Sequence, residues 1–368
     1  MKEYNVLQYG AVGDGATNDA FAIQHAIDDC AKNGGGRVVL QSGYVFYSDS
    51  IRLRSNVDLH IQKGARLKAT GNIDGYIRPN KLINDPKTAL IGNPVTGKPS
   101  FVFLYGYEAD GCTISGEGTI DANGHAFVQR KDQYYVTGDF YPRPTVIYVE
   151  KSNHITFKDI TIVDAPFWTL HPAGCDDVLI DRIRILNDLD VANSDGIDPD
   201  HCSNVRILGC HVECADDCIC LKASKGNAEY GPCENIIIDG CTLVSTSAAI
   251  KIGTEGVGDF RNVLVQNCVI SRSVKQLDGA QVFGSVEEFL GFAEKAEGKV
   301  FVLGGGEIYR ELLPYCGEAF ITRIYESFNG DVFFTDLEHD RDWEIVETSP
   351  VMSSECRNIR FFHYIRKK

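Results

Sequence analysis

The sequence lacks the features of a membrane protein or a nucleic-acid-binding protein. No stretch approaches the ~20 apolar residues of a membrane span, and no apolar core follows the first residues, MKEYNVLQYGAVGDG, as it would in a secretory signal. Basic residues are few, since 36 Lys and Arg stand against 51 Asp and Glu, a net charge of −15. Because binding to a phosphate backbone needs clustered positive charge, we expect no nucleic-acid partner. We also expect no membrane association and a cytoplasmic location.

The 13 cysteines form neither a disulfide framework nor a metal site by their spacing. Their number is odd and no secretory signal accompanies them, which argues against structural disulfides. Cys214, Cys218 and Cys220 are close in the chain but lack the paired spacing of a zinc site. We therefore expect no metal, and we predict reduced thiols packed in a hydrophobic core.

A repeat is the main positive feature of the sequence. Five segments share an Asn or Asp followed by alternating aliphatic residues: SNHITFKDITI, DDVLIDRIRI, SNVRILGCHV, ENIIIDGCTL and RNVLVQNCVI. Their anchor residues, spaced 24, 27, 31 and 27 residues apart, are Asn153, Asp177, Asn204, Asn235 and Asn262. Strands that repeat in phase are typical of a stacked coil, whereas the strands of an ordinary sandwich would not keep phase. The repeat predicts a mainly β fold, a parallel β-helix.

A helix signal precedes the repeat. Ile23, Ala26, Ile27 and Cys30 follow the i, i+3, i+4, i+7 spacing of an apolar helix face, and Asn18 or Asp19 can cap the first turn. A short amphipathic helix here is expected to cover the open end of the first coil.

Several motifs between residues 1 and 273 carry a family resemblance: YGAVGDGATNDAFAIQHAID, GEGTIDANG, APFWTLHP, NSDGIDPD and ADDCICLKAS. With them the sequence resembles the polygalacturonase family of glycoside hydrolases. The resemblance implies a right-handed parallel β-helix that cleaves pectin-type acidic polysaccharide with inversion, one carboxyl protonating the leaving oxygen while a carboxylate activates water. It implies Asp216 as the general acid, with Asp195 and Asp217 holding and deprotonating the water.

The spacing of the aspartates adds a separate argument. Asp195 lies 9 residues before Asn204, and Asp216 lies 19 before Asn235. If the loop-like residues 225–232 are an insertion, the two aspartates come close to the same phase and stack on neighbouring coils. Like charges there would raise one pKa and make an acid available. The alternative is that each Asp caps backbone N–H groups in a turn.

Three further residues could contact a carboxylated sugar. Lys222, Lys251 and His171 are candidates, although alternation between Ile250 and Ile252 also allows Lys251 to be a solvated surface lysine. The family pattern is incomplete here. Ala248 stands where the family has the histidine of Gly-His-Gly, and the sequence departs before the family's Arg-x-Lys, which grips the substrate carboxylate.

The repeat stops after Ser273, and a different pattern follows. A helix is predicted in SVEEFLGFAEKA, a buried strand in KVFVLGGG, a second helix in EIYRELLPY, and strands in EAFITRIYES, DVFF and IRFFHYIRKK. With VLGGGEIYRELLP, ITRIYESFNGDVFF and DWEIV, residues 276–368 resemble the C-terminal half of dihydrofolate reductase. The resemblance implies an incomplete α/β half-domain at 274–368 without its first half. It implies the remnant of an NADPH site at Gly304, Gly305, Gly306, Tyr309 and Thr322, with no cofactor bound.

We therefore predict a chimera: a truncated β-helix at 1–273 that lacks its last coils, followed by half of a reductase. We expect glycoside hydrolase ancestry with a pectin-type polysaccharide as the partner, and inactivity as written because of the truncation. The alternatives are an active hydrolase of a variant acidic glycan and a reductase fragment that needs its missing half in trans. No reductase activity is expected. An exposed β-helix end predicts aggregation.

Overall fold

The computed structural model describes the chain in two compact units. The described residues are 2–79, 97–128, 143–271, 286–295, 300, 302, 306–325, 334–354 and 357–367. Unit 1 is Met1–Asp278 and unit 2 is Gly279–Lys368. Within these described ranges, no helix is long and apolar enough to cross a membrane.

Unit 1 is built from short strands and an amphipathic helix, α1 (Ala20–Lys32). In chain order its strands are β1 (Glu3–Asn5), β2 (Asp14–Asn18), β3 (Gly36–Leu40), β4 (Val45–Ser48), β5 (Ile51–Arg52), β6 (Val57–Ile61), β7 (Arg66–Ala69), β8 (Val102–Tyr107), β9 (Thr113–Ser115), β10 (Thr119–Asp121), β11 (Thr145–Glu150), β12 (Asn153–Lys158), β13 (Thr161–Val163), β14 (Leu170–Ala173), β15 (Asp176–Asp181), β16 (Arg184–Leu186), β17 (Ser203–Leu208), β18 (His211–Cys214), β19 (Ile219–Ala223), β20 (Cys233–Asp239), β21 (Thr242–Ser245), β22 (Ile250–Gly256), β23 (Phe260–Gln266) and β24 (Val269–Ser271). Short 3₁₀ helices are Val6–Tyr9, Ile73–Gly75, Gly124–Ala126 and Lys225–Tyr230.

These strands form three parallel faces around one core. The first sheet runs β1-β3-β6-β9-β12-β15-β17-β20-β23, and the second runs β2-β4-β7-β10-β13-β16-β18-β21-β24. The third face holds β5, β8, β11 and β14 in order and then β19 paired with β22, and Ile197 bridges the two groups through Leu170 and Ile219. Parallel pairing of strands that lie one coil apart is the β-helix that the repeat predicts.

The core of the coils is a stack of aliphatic side chains. Register partners on the first sheet are Ile155, Val178, Val205, Ile236 and Val263. All except Val263 are buried. The cysteines join this core: in the part of the chain that the structure describes every cysteine is free, and in unit 1 all except Cys268 are buried. The prediction of core-packed thiols is confirmed.

The anchor residues of the repeat adopt left-handed backbone conformations. Asn204, Asn235 and Asn262 have φ of 55°, 58° and 51°, which Asn tolerates better than most residues. The amide of Asn235 donates to Asn204 Oδ1 at 3.2 Å, and that of Asn262 donates to Asn235 Oδ1 at 2.9 Å. The first predicted anchor is wrong by one residue, because His154 (φ 58°) takes the turn position in place of Asn153.

Helix α1 closes the first coil as predicted. Its buried face includes Ile23, Ala26, Ile27 and Cys30. Of the two possible caps, Asn18 is the one in place, since its Oδ1 accepts from Ala20 N at 3.1 Å. The Asp19 carboxylate instead accepts from the backbone N–H groups of residues 12 and 13 at 2.6 and 3.0 Å.

Unit 2 contains helices α2 (Val286–Ala293) and α3 (Gly306–Leu312) and a 3₁₀ turn, Leu313–Tyr315. Its strands are β25 (Glu318–Ile324), β26 (Trp343–Thr348), β27 (Met352–Ser354) and β28 (Arg357–Arg366). They form an antiparallel sheet in the order β25-β28-β26, with β27 also on β28. A small core of Leu337, Trp343, Phe362 and Tyr364 packs on it. The predicted strands KVFVLGGG and DVFF lie largely outside the described residues.

Candidate active site

Three aspartates converge on one side of the β-helix. Asp195 lies in the connection between β16 and β17, and Asp216 and Asp217 lie in the turn between β18 and β19. One carboxylate oxygen from each lies within 4.8 Å of the others. That spacing could hold a cation, but it is also the arrangement expected of an acid and base that share protons.

The register of the coils brings Asp195 beside Asp217. Gly196 N donates to the Asp217 carbonyl at 2.9 Å, and Ile197 bridges Ile219 in the next coil. The sequence count expected Asp195 and Asp216 close to the same phase, and the register sets Asp216 one residue from the level of Asp195. The loop-like segment that was counted as an insertion contains the 3₁₀ helix Lys225–Tyr230.

Burial and mutual repulsion disturb the ionisation of this cluster. Asp195 and Asp217 are buried, whereas Asp216 is half-buried. Burial, together with the charges of Asp216 and Asp217, raises the pKa of Asp195 to about 7 even though a lysine opposes the shift. Burial and the charge of Asp217 also raise the pKa of Asp216. Three carboxylates this close cannot all be ionised near neutral pH without strong repulsion.

The three aspartates have different partners. Lys222 Nζ lies 3.4 Å from Asp195 Oδ2, and Lys251 Nζ lies 2.9 Å from Asp217 Oδ2. Asp216 Oδ2 instead accepts from Asn193, through the backbone N at 3.2 Å and the side-chain amide at 3.4 Å. Two carboxylates are thus paired with lysines, and the more exposed one is held by neutral donors.

Arg143 supports this arrangement and was missed by sequence reasoning. Its buried guanidinium donates to Asn193 Oδ1 at 3.0 Å and to the Pro166 carbonyl at 3.3 Å, and it lies over the Phe167 ring at 5.0 Å. Burial lowers the pKa of Arg143 to about 10, against the pull of Asp195 and other acidic groups. No motif pointed to it, because the contact joins segments far apart in the chain.

The candidate sugar-contacting residues differ in their exposure. The Lys222 side chain is 3% exposed and that of Lys251 is 36% exposed. His171 is buried, with Nε2 at 3.3 Å from Asp200 Oδ2 and its ring against Trp168. Only Lys251 of the three therefore offers solvent-facing surface.

The position of the family's histidine lies beside the cluster. The carbonyl oxygen of Ala248 accepts a hydrogen bond at 2.9 Å from the backbone N–H of Cys218, the residue that follows Asp217 in the chain. Its methyl group offers no donor. Its neighbour Ser247 donates weakly through Oγ to Asp217 Oδ1 at 3.4 Å.

The remaining site candidates belong to unit 2. Gly304 and Gly305 lie outside the described residues, and Gly306 begins α3. Tyr309 on that helix meets the Phe334 ring edge-on at 5.4 Å. Thr322 is exposed on β25. Their assignment to a cofactor site stays a prediction.

Family models match both parts of the chain. Residues 79–277 match glycosyl hydrolases family 28, and residues 263–367 match dihydrofolate reductase. The two matches overlap at 263–277, which brackets the point where the repeat stops.

Curated relatives of the first part are polygalacturonases. A probable polygalacturonase of Vitis vinifera is 30% identical over 281 residues, covering 73% of this chain and 55% of that protein. An endo-polygalacturonase of Pectobacterium carotovorum subsp. carotovorum is 26% identical, covering 69% of this chain and 62% of that protein. The chain thus spans a little over half the length of these relatives.

Solved polygalacturonases share the fold. The exopolygalacturonase of Thermotoga maritima aligns with a TM-score of 0.61 at 23% identity, covering 74% of this chain and 68% of that one. The polygalacturonase of Erwinia carotovora ssp. carotovora aligns with a TM-score of 0.57 at 24% identity, covering 70% and 68%. The right-handed parallel β-helix is confirmed. The chain is a two-family chimera that belongs to glycosyl hydrolases family 28 through its larger part and continues into a segment of the dihydrofolate reductase type.

Proposed function

We propose that unit 1 carries the acid/base centre of a glycoside hydrolase of pectin-type acidic polysaccharide. The observation that supports this most is the convergence of Asp195, Asp216 and Asp217, whose oxygens lie within 4.8 Å of one another. Glycosidic hydrolysis needs one protonated carboxyl and one ionised carboxylate at the same bond, and clustering is a means of keeping a proton on one of them.

The partners of the aspartates suggest their roles. Asp216 is the most accessible of the three and has neutral donors, so we assign it the protonation of the leaving oxygen. Asp195 and Asp217 each lie beside a lysine, so we assign them the attacking water. Burial raises the pKa of Asp195 to about 7, so in this proposal the three carboxyls share a proton, and that proton resides on Asp216 when Asp195 acts on the water.

The family resemblance implies inversion, and this stays a proposal. Most inverting enzymes separate their carboxyl groups by about 6.5–9.5 Å, and retaining enzymes by about 5–5.5 Å. Here one oxygen from each carboxyl lies within 4.8 Å of one oxygen from each of the others. We therefore place the water beside the pair Asp195 and Asp217 rather than between acid and base. If the chain releases sugar from any acidic glycan, NMR of the first-formed reducing ends tests this, since a retained anomeric configuration would contradict it.

We further propose that the chain does not hydrolyse polygalacturonate. Lys222, one of the site's two lysines, is buried among carboxylates, and the histidine position is Ala248. No Arg-x-Lys follows the last repeat, where the family resemblance implies one, because the sequence pattern changes after Ser273. Without groups that bind the sugar carboxylate, the site lacks the binding energy that would orient the glycosidic bond for hydrolysis. A reducing-sugar assay on polygalacturonate, with Asp216→Asn as the blank, tests this.

One alternative has an observation in its favour. Lys251 is part-exposed next to Asp217, so a single cation is available to a glycan that presents its acidic group there. Sugar release from rhamnogalacturonan or another acidic glycan, abolished by Asp216→Asn, would support an active enzyme of changed specificity.

For unit 2 we propose no reductase activity and no cofactor. A fluorescence titration with NADPH is expected to show no saturable binding.

A further inference from the structure

Lys222 is a lysine held almost entirely out of water. It lies on β19 in the coil after Asp195, and its side chain is 3% exposed. Its ammonium group packs over the face of Trp168, 4.1 Å from the ring centroid. A buried ammonium group is costly unless opposite charges or a ring face compensate it, so its partners decide what it does.

Three carboxylates surround Lys222 Nζ. Glu255 Oε2 lies at 3.1 Å, Asp195 Oδ2 at 3.4 Å and Asp198 Oδ1 at 3.6 Å. They come from different levels of the β-helix: Asp195 and Asp198 precede Lys222 by one coil, and Glu255 lies on β22, which pairs with β19. An ammonium group has three N–H donors. Two of them donate to Asp195 and Glu255, and because the side chain is 3% exposed, the ammonium group presents no accessible face to a substrate.

The three carboxylates do not share the positive charge of Lys222 equally, as the surroundings of Asp198 show. Both of its carboxylate oxygens are fully buried and, among the residues that the structure describes, receive no hydrogen bond. Burial raises its pKa well above the ordinary value, with Lys222 opposing. A neutral Asp198 would leave the lysine's charge to Asp195 and Glu255.

We propose that Lys222 is a positioning residue that favours the ionised form of Asp195 and orients its carboxylate, and that Glu255 tunes this effect by drawing on the same ammonium group. The inference rests on the proposed function only in giving Asp195 a part in catalysis. Under this proposal Lys222 does not contact the sugar, and Lys251 remains the candidate for that contact.

The charges around Asp195 make the sign of each change definite. The groups that face it are Lys222, Asp216, Asp217, Asp198 and Arg143, with Glu255 behind Lys222 and Lys251 behind Asp217. Removing the positive charge at Lys222 leaves Asp195 among carboxylates and raises its pKa. Removing the negative charge at Glu255 lowers it. A lysine that only fastened neighbouring coils would change stability without this pair of opposite shifts.

The test reads the ionisation of Asp195 directly and does not need turnover. The full chain is labelled with aspartate carrying ¹³C at its side-chain carboxyl, and the Asp195 signal is identified by its loss in Asp195→Asn. The midpoint of its chemical-shift titration is then compared in wild type, Lys222→Met and Glu255→Gln. Lys158→Met is the matched control, since it removes an exposed lysine from β12 outside the cluster.

We expect Lys222→Met to move the midpoint up by about one pH unit or more, the size typical of losing an opposite charge at this range. Glu255→Gln moves it down and Lys158→Met leaves it in place. Unchanged midpoints in folded Lys222→Met and Glu255→Gln overturn the proposal. If Lys222→Met does not fold, Glu255→Gln decides alone, and an absent or upward shift overturns it. The titration reads the Asp195 carboxyl itself, so its outcome does not depend on whether any glycan is cleaved, whereas the proposed function is tested separately by sugar release.

Discussion

Burial of the Asp195 carboxyl destabilises the folded state when that carboxyl is ionised. This carboxyl lies beside Asp216 and Asp217, and burial together with their charges raises its pKa to about 7. An unfolded aspartate titrates near ~3.9. The folded state therefore binds the proton more tightly, and the stability that comes from this is present below about pH 4 and lost as the pH rises through about 7. Strained carboxyls of this kind are common at catalytic sites.

Asp195→Asn is accordingly expected to stabilise the protein at pH 8. The gain should be on the order of a few kcal/mol, since each unit of pKa shift corresponds to about 1.4 kcal/mol, and it should shrink towards zero at pH 4. Thermal unfolding followed by circular dichroism at both pH values measures it. A variant that melts below wild type at pH 8 would contradict the account of this carboxyl.

Asp200 is the opposite case. Burial alone would raise its pKa, but hydrogen bonds from His171 and Ser224 outweigh burial and lower the pKa to about 2. Asn227 Nδ2 donates to the same carboxylate at 2.7 Å. Because the folded pKa is depressed, Asp200 stabilises the fold above about pH 4, and that contribution is lost as the pH falls through about 2.

Asp200→Asn should therefore destabilise the chain by roughly 2–3 kcal/mol at pH 7, and the difference should narrow below pH 4. Urea unfolding at pH 7, 4 and 3 measures this, with exposed Asp74→Asn as the matched control. Equal losses of unfolding free energy in the two variants would show that the hydrogen bonds to Asp200 stabilise the fold no more than an exposed carboxylate does.

Single residues of the site were predictable to different degrees. Asp195, Asp216 and Asp217 stand in recognisable motifs, so their importance is visible in the sequence. Arg143 and Glu255 do not, because each acts through a contact with a distant segment that only the coil register creates. The burial of Lys222 is hidden for the same reason.

Among the elements, α1 shows how a local pattern becomes a tertiary one. Its apolar face packs on the first coil, and Ile27 is fully buried there. On the opposite face Phe21 is 84% exposed. Covering the end of the coil removes unpaired strand edges and apolar surface from water.

Ile27→Ala is expected to cost about 2–5 kcal/mol of unfolding free energy, the range for deleting a buried aliphatic side chain. Phe21→Ala, a larger truncation on the same helix, should change it by less than about 0.5 kcal/mol. Urea unfolding of both variants measures the pair. Comparable losses would mean that α1 does not pack on the coil as described.

The strands were predictable because a β-helix repeats its sequence with its structure. Alternation of Ile and Val in five segments indicated both the strands and their inward face. The register between coils was less accessible, because the loops between strands vary in length. His154 rather than Asn153 takes the left-handed position, and Asp217 rather than Asp216 lies level with Asp195.

For the molecule as a whole, the last described coil of unit 1 is the weak point. Val269 and Ile270 on β24 are more than half exposed, as is Ile252 on β22. The chain covers 55% of the Vitis vinifera relative. We propose that this apolar surface drives self-association.

Replacing Val269 and Ile270 together by lysine is expected to reduce aggregation, because charge on an exposed strand edge discourages pairing with a second chain. Light scattering during concentration of the purified protein measures it. Val12→Lys, a similarly exposed valine in the first coil, is the control and should leave scattering unchanged. Equal scattering of the double variant and wild type would contradict the proposal.

We propose that unit 1 retains an assembled carboxylate centre but lacks the groups that bind the sugar carboxylate of a pectin-type substrate. The most direct measurement is reducing-end release from polygalacturonate by the full chain, at several pH values between 4 and 7, with Asp216→Asn in parallel and circular dichroism to show that both are folded. The account predicts a folded β-rich protein with no release above the Asp216→Asn blank. Release by wild type that Asp216→Asn abolishes would contradict it, and would show that the three aspartates suffice without the missing cations.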